Sequence, residues 1–292
     1  MPGTITVGLD GTDHALAAAE WAAHEAARRG TALRLVHAWV WRTTDTVYVG
    51  DRAVEERWVR NMLHEAKARV AKVHPDLDVT TELLVDDPVP TLVDEASRAE
   101  MLVLGSRGYG TLTGYLVGSV SLQVLRRAAG PVVMVRGPRH TTVRESTDEM
   151  GEIVVGVQDA GEAAGPVLEF AFAAAAERGA TLRAVRAWSI PSVLVWSPGS
   201  MWLADQAGGL EPLQKEILAD ALRPWRQKYP DVDVIEHVEI GAASEVLLSN
   251  SRRASLVVVG RRTHDTGLRR VGSVAHAVLH HAPAAVAVVP HP

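Results

Sequence analysis

The chain of 292 residues has no cysteine, which excludes disulfides, thiolate metal sites, iron–sulfur clusters and cysteine nucleophiles together. It also has no apolar run approaching the ~18–20 residues of a membrane span. Its opening, MPGTITVGLD, lacks the basic start and long apolar stretch of a signal peptide. A cytoplasmic protein with no membrane partner is therefore expected. Charge of one sign is missing as well: 30 basic side chains face 35 acidic ones, a net charge of −5. Up to residue 150 the counts are 17 against 20, and beyond it 13 against 15, so neither half has the basic excess that nucleic acid binding requires. No G-x4-G-K-[ST] loop and no G-x-S-x-G elbow occurs, leaving P-loop phosphoryl chemistry and serine hydrolase chemistry without support. What is present is an ordinary globular balance, 47% hydrophobic and 22% charged, over a length that suits two domains of about 150 residues.

The chain is duplicated. Gly30–Trp39 (GTALRLVHAW) and Gly179–Trp188 (GATLRAVRAW) are identical at six of ten positions. PDLDV at Pro75–Val79 returns as PDVDV at Pro230–Val234, and VLGSR at Val103–Arg107 returns as VVGRR at Val258–Arg262, in the same order. Between the copies, residues 137–152 are polar and without an apolar period, as an exposed linker is. The boundary is expected near Ser146, with domains over 1–140 and 150–292.

Within the first copy, the β-branched run Thr4–Leu9 reads as a strand, and Asp10-Gly11-Thr12-Asp13 supplies turn and helix-capping chemistry. An alanine-rich helix over 14–29 stops at Gly30. Strand Ala32–Trp39, helix 52–73, strand Asp78–Val85, helix Val89–Arg98, strand Met101–Leu104, helix Ser119–Ala128 and strand Pro131–Arg136 follow. Strict alternation of strand and helix predicts an α/β fold, a five-stranded parallel sheet with helices on both faces. The expected strand order is 3-2-1-4-5, which opens a crevice between strands 1 and 4 at their C-terminal ends. Functional residues should therefore follow Leu9 and Leu104.

After Leu104 the chain reads Gly105-Ser-Arg-Gly108-Tyr-Gly110-Thr-Leu-Thr-Gly114-Tyr-Leu-Val-Gly118-Ser119-Val120-Ser121. Glycines let backbone N–H groups converge on phosphate oxygens, and the helix that follows adds partial positive charge. A ligand-free flexible loop has the same composition, so position at the crevice is what favours binding. The spacing G-x2-G-x9-G-S, realised by Gly105, Gly108, Gly118 and Ser119, resembles the nucleotide-binding signature of the universal stress protein family. Val7-Gly8-Leu9-Asp10-Gly11 resembles that family's opening, and both copies resemble it along nearly their whole length. The resemblance implies two tandem flavodoxin-like domains of the adenine nucleotide α-hydrolase-like type, ATP binding, cytoplasmic residence and a role in stress survival. Mg²⁺ would accompany the ATP, although no carboxylate pair in the loop announces a metal site.

Carried over residue by residue, the resemblance puts Gly8, Leu9 and Asp10 on the adenosine side and the Ala38 backbone against adenine. Leu104, Gly105 and Gly108 would flank ribose and phosphate, and Gly118, Ser119, Val120 and Ser121 would hold the phosphates. Arg107 is a candidate phosphate partner, an exposed loop arginine being otherwise merely solvated. The corresponding residues of the second copy are Gly156, Val157, Gly260, Arg261, Gly272, Ser273 and Val274. That copy departs from the pattern: Gln158 stands opposite Asp10, Thr263 replaces the middle glycine, and the loop is one residue shorter. Arg261, Arg262, Arg269 and Arg270 make it basic, so both phosphate attraction and a decayed copy kept for packing remain open.

Other signals have bland explanations. His276, His280 and His281 could share a metal but suit a helix C-terminus, and Asp86-Asp87 and Glu55-Glu56 suit solvated faces. Trp188, Trp196 and Trp202 fit a pocket, an interface or a core. Catalytic residues are not expected, since no positioned base is visible. Three readings follow: an ATP-binding regulatory module, a weak ATPase or other adenine-nucleotide enzyme, and a nucleotide-free interaction scaffold. The last strands of the copies, Pro131–Arg136 and Ala284–Val289, are edges, and an intrachain pseudo-dimer through them is expected, with a homodimer as a further possibility.

Overall fold

The computed structural model describes residues 3–40, 52–108, 115–137, 151–158, 161–190, 209–263 and 270–292. The chain divides into two compact units, Met1–Val143 and Arg144–Pro292.

The first unit runs β1 (Thr4–Gly8), α1 (Asp13–Arg29), β2 (Ala32–Ala38), α2 (Arg52–Val73), β3 (Val79–Leu84), α3 (Pro88–Arg98), β4 (Met101–Gly108), β5 (Tyr115–Leu116), α4 (Ser119–Arg127) and β6 (Val132–Arg136). Five strands pair in parallel in the order β3-β2-β1-β4-β6, the expected 3-2-1-4-5 once the short β5 is set aside. Strands buried on both faces need apolar residues at successive positions, and Ile5, Val7, Leu33, Leu35, Met101, Leu102 and Val103 are all fully buried. Helix α1 packs on α2 and α3 packs on α4, so both faces of the sheet are covered.

Local chemistry sets the start and stop of α1. The Thr12 hydroxyl oxygen accepts from the Ala15 N–H at 3.3 Å, and Gly30 ends the helix in the left-handed region at φ 60°. The face of α1 turned to the sheet is Ala15, Ala18, Ala19, Ala22, Ala23 and Ala26, all buried. Small side chains bring this helix close to the strands, and Gly105 completes the fit. A Cβ on Gly105 would lie 2.6 Å from the backbone carbonyl of His14.

Strand β4 departs from the sequence expectation, since it continues past Leu104 to Gly108, and β5 folds back antiparallel on its end. The extension is held from the other side by β6: Gly105 pairs with Val135 and Ser106 with Arg136. The buried Ser106 hydroxyl also donates to the Val135 carbonyl at 3.1 Å. Main-chain pairing here prevails over the loop signal of the glycines.

The second unit repeats the plan with β7 (Glu152–Gly156), α5 (Gly165–Arg178), β8 (Leu182–Trp188), α6 (Glu211–Lys228), β9 (Val234–Ile240), α7 (Ala243–Asn250), β10 (Ala254–Arg262), α8 (Ser273–His281) and β11 (Ala285–His291). Its parallel order is β9-β8-β7-β10-β11. Here the interface between α5 and α6 is aromatic, with fully buried Phe172 stacked on Trp225 (6.4 Å between centroids) and Tyr229 (5.8 Å). Trp188 closes β8 and is half-buried, whereas Trp196 and Trp202 lie outside the described residues. Among the described residues no helix is long and apolar enough to cross a membrane.

Candidate functional site

In each unit the strand order reverses beside the first strand, between β1 and β4 and between β7 and β10. The two neighbours of that reversal leave in opposite directions, so their C-terminal ends border a crevice.

In the first unit, Gly8 and Leu104 face each other across this seam. A Cβ on Gly8 would come within 2.7 Å of the Leu104 side-chain tip, so the glycine lets Leu104 and Leu92 pack close to the strand. Leu9 is tied at both backbone ends: its N–H donates to the Val36 carbonyl at 2.8 Å, and its carbonyl accepts from His37 Nδ1 at 2.7 Å. A carbonyl can only accept, so Nδ1 carries the proton in this contact. The exposed Asp10 turns its Oδ1 to the Thr12 N–H (3.1 Å) and hydroxyl (2.6 Å), bracing the turn into α1. Ala38 closes β2 and is half-buried. Beside Gly11, the side chain of Trp58 is more than half exposed and rims a cleft of ≈ 320 Å³ between α1 and α2.

The glycine-rich segment is divided by the structure. Arg107 and Gly108 belong to β4, while Gly110 and Gly114 lie outside the described residues. Gly118 is the N-cap of α4 and makes no side-chain cap. The first bond of α4 runs from the Leu122 N–H to the Gly118 carbonyl, so the N–H groups of Ser119, Val120 and Ser121 point out of the open helix end. Ser119 and Val120 are exposed and Ser121 is half-buried.

The second unit holds a cavity of ≈ 550 Å³ at the matching seam. All seven residues expected from sequence line it: Gly156 and Val157 at the end of β7, Gly260 and Arg261 in β10, and Gly272, Ser273 and Val274 at the start of α8. Sequence reasoning did not reach the apolar wall, Val185 of β8 and Leu247 of α7, because those side chains read simply as core. Gly272 sits at φ +76°, and the first bond of α8 runs from the His276 N–H to the Gly272 carbonyl. Thr263, in the place of the missing middle glycine, donates through its N–H (2.7 Å) and its hydroxyl (2.9 Å) to the His291 carbonyl. A residue with a side chain is thus used to fasten the end of β10 to β11. Arg269 and the adjacent loop residues 264–268 lie outside the described residues.

Both halves of this arrangement recur in known proteins. A family model for the universal stress protein family matches residues 1–136 and again residues 150–290. The chain belongs to the universal stress protein family. A universal stress protein of Mycobacterium tuberculosis is 33% identical over 98% of this chain and 95% of its own length. A second, from Mycobacterium bovis, is 35% identical over 94% of this chain and 93% of its own. Among solved structures, a universal stress protein from Archaeoglobus fulgidus aligns with a TM-score of 0.66 over 99% of this chain and 98% of its own, at 17% identity, a likeness of fold alone. The chain is therefore a tandem universal stress protein with two flavodoxin-like domains.

The remaining polar signals resolve locally. Asp87 caps α3 by accepting from the Val89 N–H at 3.1 Å, and Glu56 pairs with Arg60 one turn on. The rings of His276 and His280 are 4.4 Å apart near the end of α8, and no group of three or more potential ligands for a metal occurs among the described residues.

Proposed function

We propose that this universal stress protein is a cytoplasmic regulatory module that binds adenine nucleotide, ATP above all, in the crevice beside the first strand of each unit. The observation that carries this reading is the ≈ 550 Å³ cavity of the second unit, which joins two strand ends to an open helix N-terminus. That volume lies within the range of pockets that bury a small ligand, roughly 300–1,000 Å³. Its apolar wall of Val185 and Leu247 suits a purine face, and the N–H groups of Ser273, Val274 and Ala275 suit phosphate. In the first unit the same roles fall to Leu9, Asp10 and Ala38 for the nucleoside and to Gly118, Ser119, Val120 and Ser121 for the phosphates. Gly118 supports this, because a Cβ there would meet no atom of the described residues nearer than 3.9 Å. Among the described residues, the space next to it is open to a ligand. Occupancy then reports the supply of nucleotide.

The test is mass analysis of small molecules released when the purified protein is denatured, together with calorimetric titration by ATP, ADP and AMP. Bound or titratable adenine nucleotide is expected. No released nucleotide and no heat with any of the three overturns the reading in favour of a nucleotide-free scaffold.

A further inference from the structure

The cavity of the second unit is lined by three arginines and, among the described residues, by no carboxylate. Arg261, in β10, is only 3% exposed, while Arg262 and Arg270 are exposed on either side of the loop that ends at Gly272. Gln158 also lines the cavity, at the position where the first unit has Asp10. A divalent cation such as Mg²⁺ is held by oxygen ligands, usually one or two carboxylates besides phosphate. The described donor set here does not fit one. It fits what the cation normally neutralises. A guanidinium meets phosphate oxygens through paired N–H donors, and one withdrawn from bulk water does so through a lower effective dielectric.

From this wall of arginines the geometry points to a metal-independent nucleotide site: the second unit takes the polyphosphate of a nucleotide without Mg²⁺, with Arg261, Arg262 and Arg270 in the cation's place. The inference rests on the proposed occupancy of this cavity by nucleotide and adds how its charge is balanced. A terminal phosphate carries about −1.5 to −2 charges at neutral pH, so each further phosphate adds charge for the arginines to meet. Affinity at this site therefore falls from ATP through ADP to AMP and weakens with salt. A change in free Mg²⁺ therefore leaves the second site's affinity where it was.

The experiment is equilibrium binding of ATP to the full chain, in Mg²⁺ and in EDTA, for wild type, Arg270→Ala, Arg261→Lys, Asp265→Ala and Gly118→Glu. Asp265 is the one acidic residue in the sequence from Gly260 to Ala275, so it is the control for a carboxylate ligand. One equivalent of ATP is expected to survive EDTA with affinity changed less than about threefold. Arg270→Ala should weaken that equivalent about tenfold or more, the size expected of a lost charge-assisted hydrogen bond. Asp265→Ala and Gly118→Glu should leave it in place. Arg270 is exposed, so its loss tests the site without disturbing the core, and Arg261→Lys keeps the charge of the buried position while removing the fork. Loss of all bound ATP in EDTA overturns the inference while leaving nucleotide binding intact. Indifference of the EDTA-resistant equivalent to both arginine changes, or its loss on Asp265→Ala, also overturns it. Absence of binding in either buffer overturns the proposed function as well.

Discussion

Gly118 and Gly272 hold the same place before the last helix of their units, and they are glycine for different reasons. Gly272 lies at φ +76°, in the region that side chains avoid, with no atom of the described residues within 4 Å of the point a Cβ would occupy. Gly118 lies at φ −59°, a conformation open to any residue, and among the described residues the nearest atom to its absent Cβ is Ser121 Oγ at 3.9 Å. One glycine serves the backbone; the other leaves room.

The contrast gives a prediction. Gly272→Ala should cost about 1–2 kcal/mol of stability through backbone strain. Gly118→Ala should stay within about 0.5 kcal/mol of wild type, while Gly118→Glu should fold normally and bind less nucleotide. Urea denaturation and ATP titration of the three variants check this.

Gly105 and Gly260 are a second matched pair with unequal neighbours. A Cβ on Gly105 would meet the main chain of α1 at 2.6 Å, whereas one on Gly260 would meet the Nε2 tip of His291 at the same distance. A side-chain tip can turn aside and a helix backbone cannot. Gly105→Ala should therefore destabilise by about 2–3 kcal/mol and Gly260→Ala by about 1 kcal/mol or less. Comparison of their denaturation midpoints decides it.

At the N-terminal ends of β7 and β8, Arg183 grips Glu152 through two bonds, Nε to Oε2 at 2.6 Å and Nη2 to Oε1 at 2.9 Å. The hydrogen bond from Arg183 holds the Glu152 carboxyl below its ordinary value, against a smaller opposing effect of burial. The native state thus favours the ionised carboxylate. The pair's contribution is complete above the unfolded carboxylate value near about 4.3 and is lost as pH falls through the lowered native value. Glu152→Gln should cost about 1 kcal/mol at neutral pH, with the difference from wild type closing in acid below about pH 4. Denaturation curves across that range measure it.

Thr12 both caps α1 and receives the brace from Asp10. Thr12→Ala should lower stability by about 1 kcal/mol, and Thr12→Ser should restore most of it. Hydrogen exchange at Ala15 and its neighbours reports where the loss falls.

Much of the fold was legible because hydrophobic period and turn chemistry agree along the chain. The helix over 52–73 was bounded by the same residues in sequence and structure, and the parallel pairing of the strands followed from strict alternation. The continuation of β4 to Gly108 was not legible, because glycine carries no side-chain pattern and its pairing with β6 is a tertiary fact. At the candidate site, Gly156, Gly260 and Gly272 could be located because the second copy aligns with the first, whose glycine spacing carries the family resemblance. The His37 bond to the Leu9 carbonyl and the double tie of Thr263 to His291 could not, since both join residues 28 positions apart through contacts that the fold creates.

The stack of Phe172, Trp225 and Tyr229 belongs to the second unit alone. Rings fixed in a dissymmetric array absorb left- and right-handed circularly polarised light unequally. Near-ultraviolet dichroism consequently carries a contribution from the packing of α5 on α6, beside that of Trp21, Trp39 and Trp58 in the first unit.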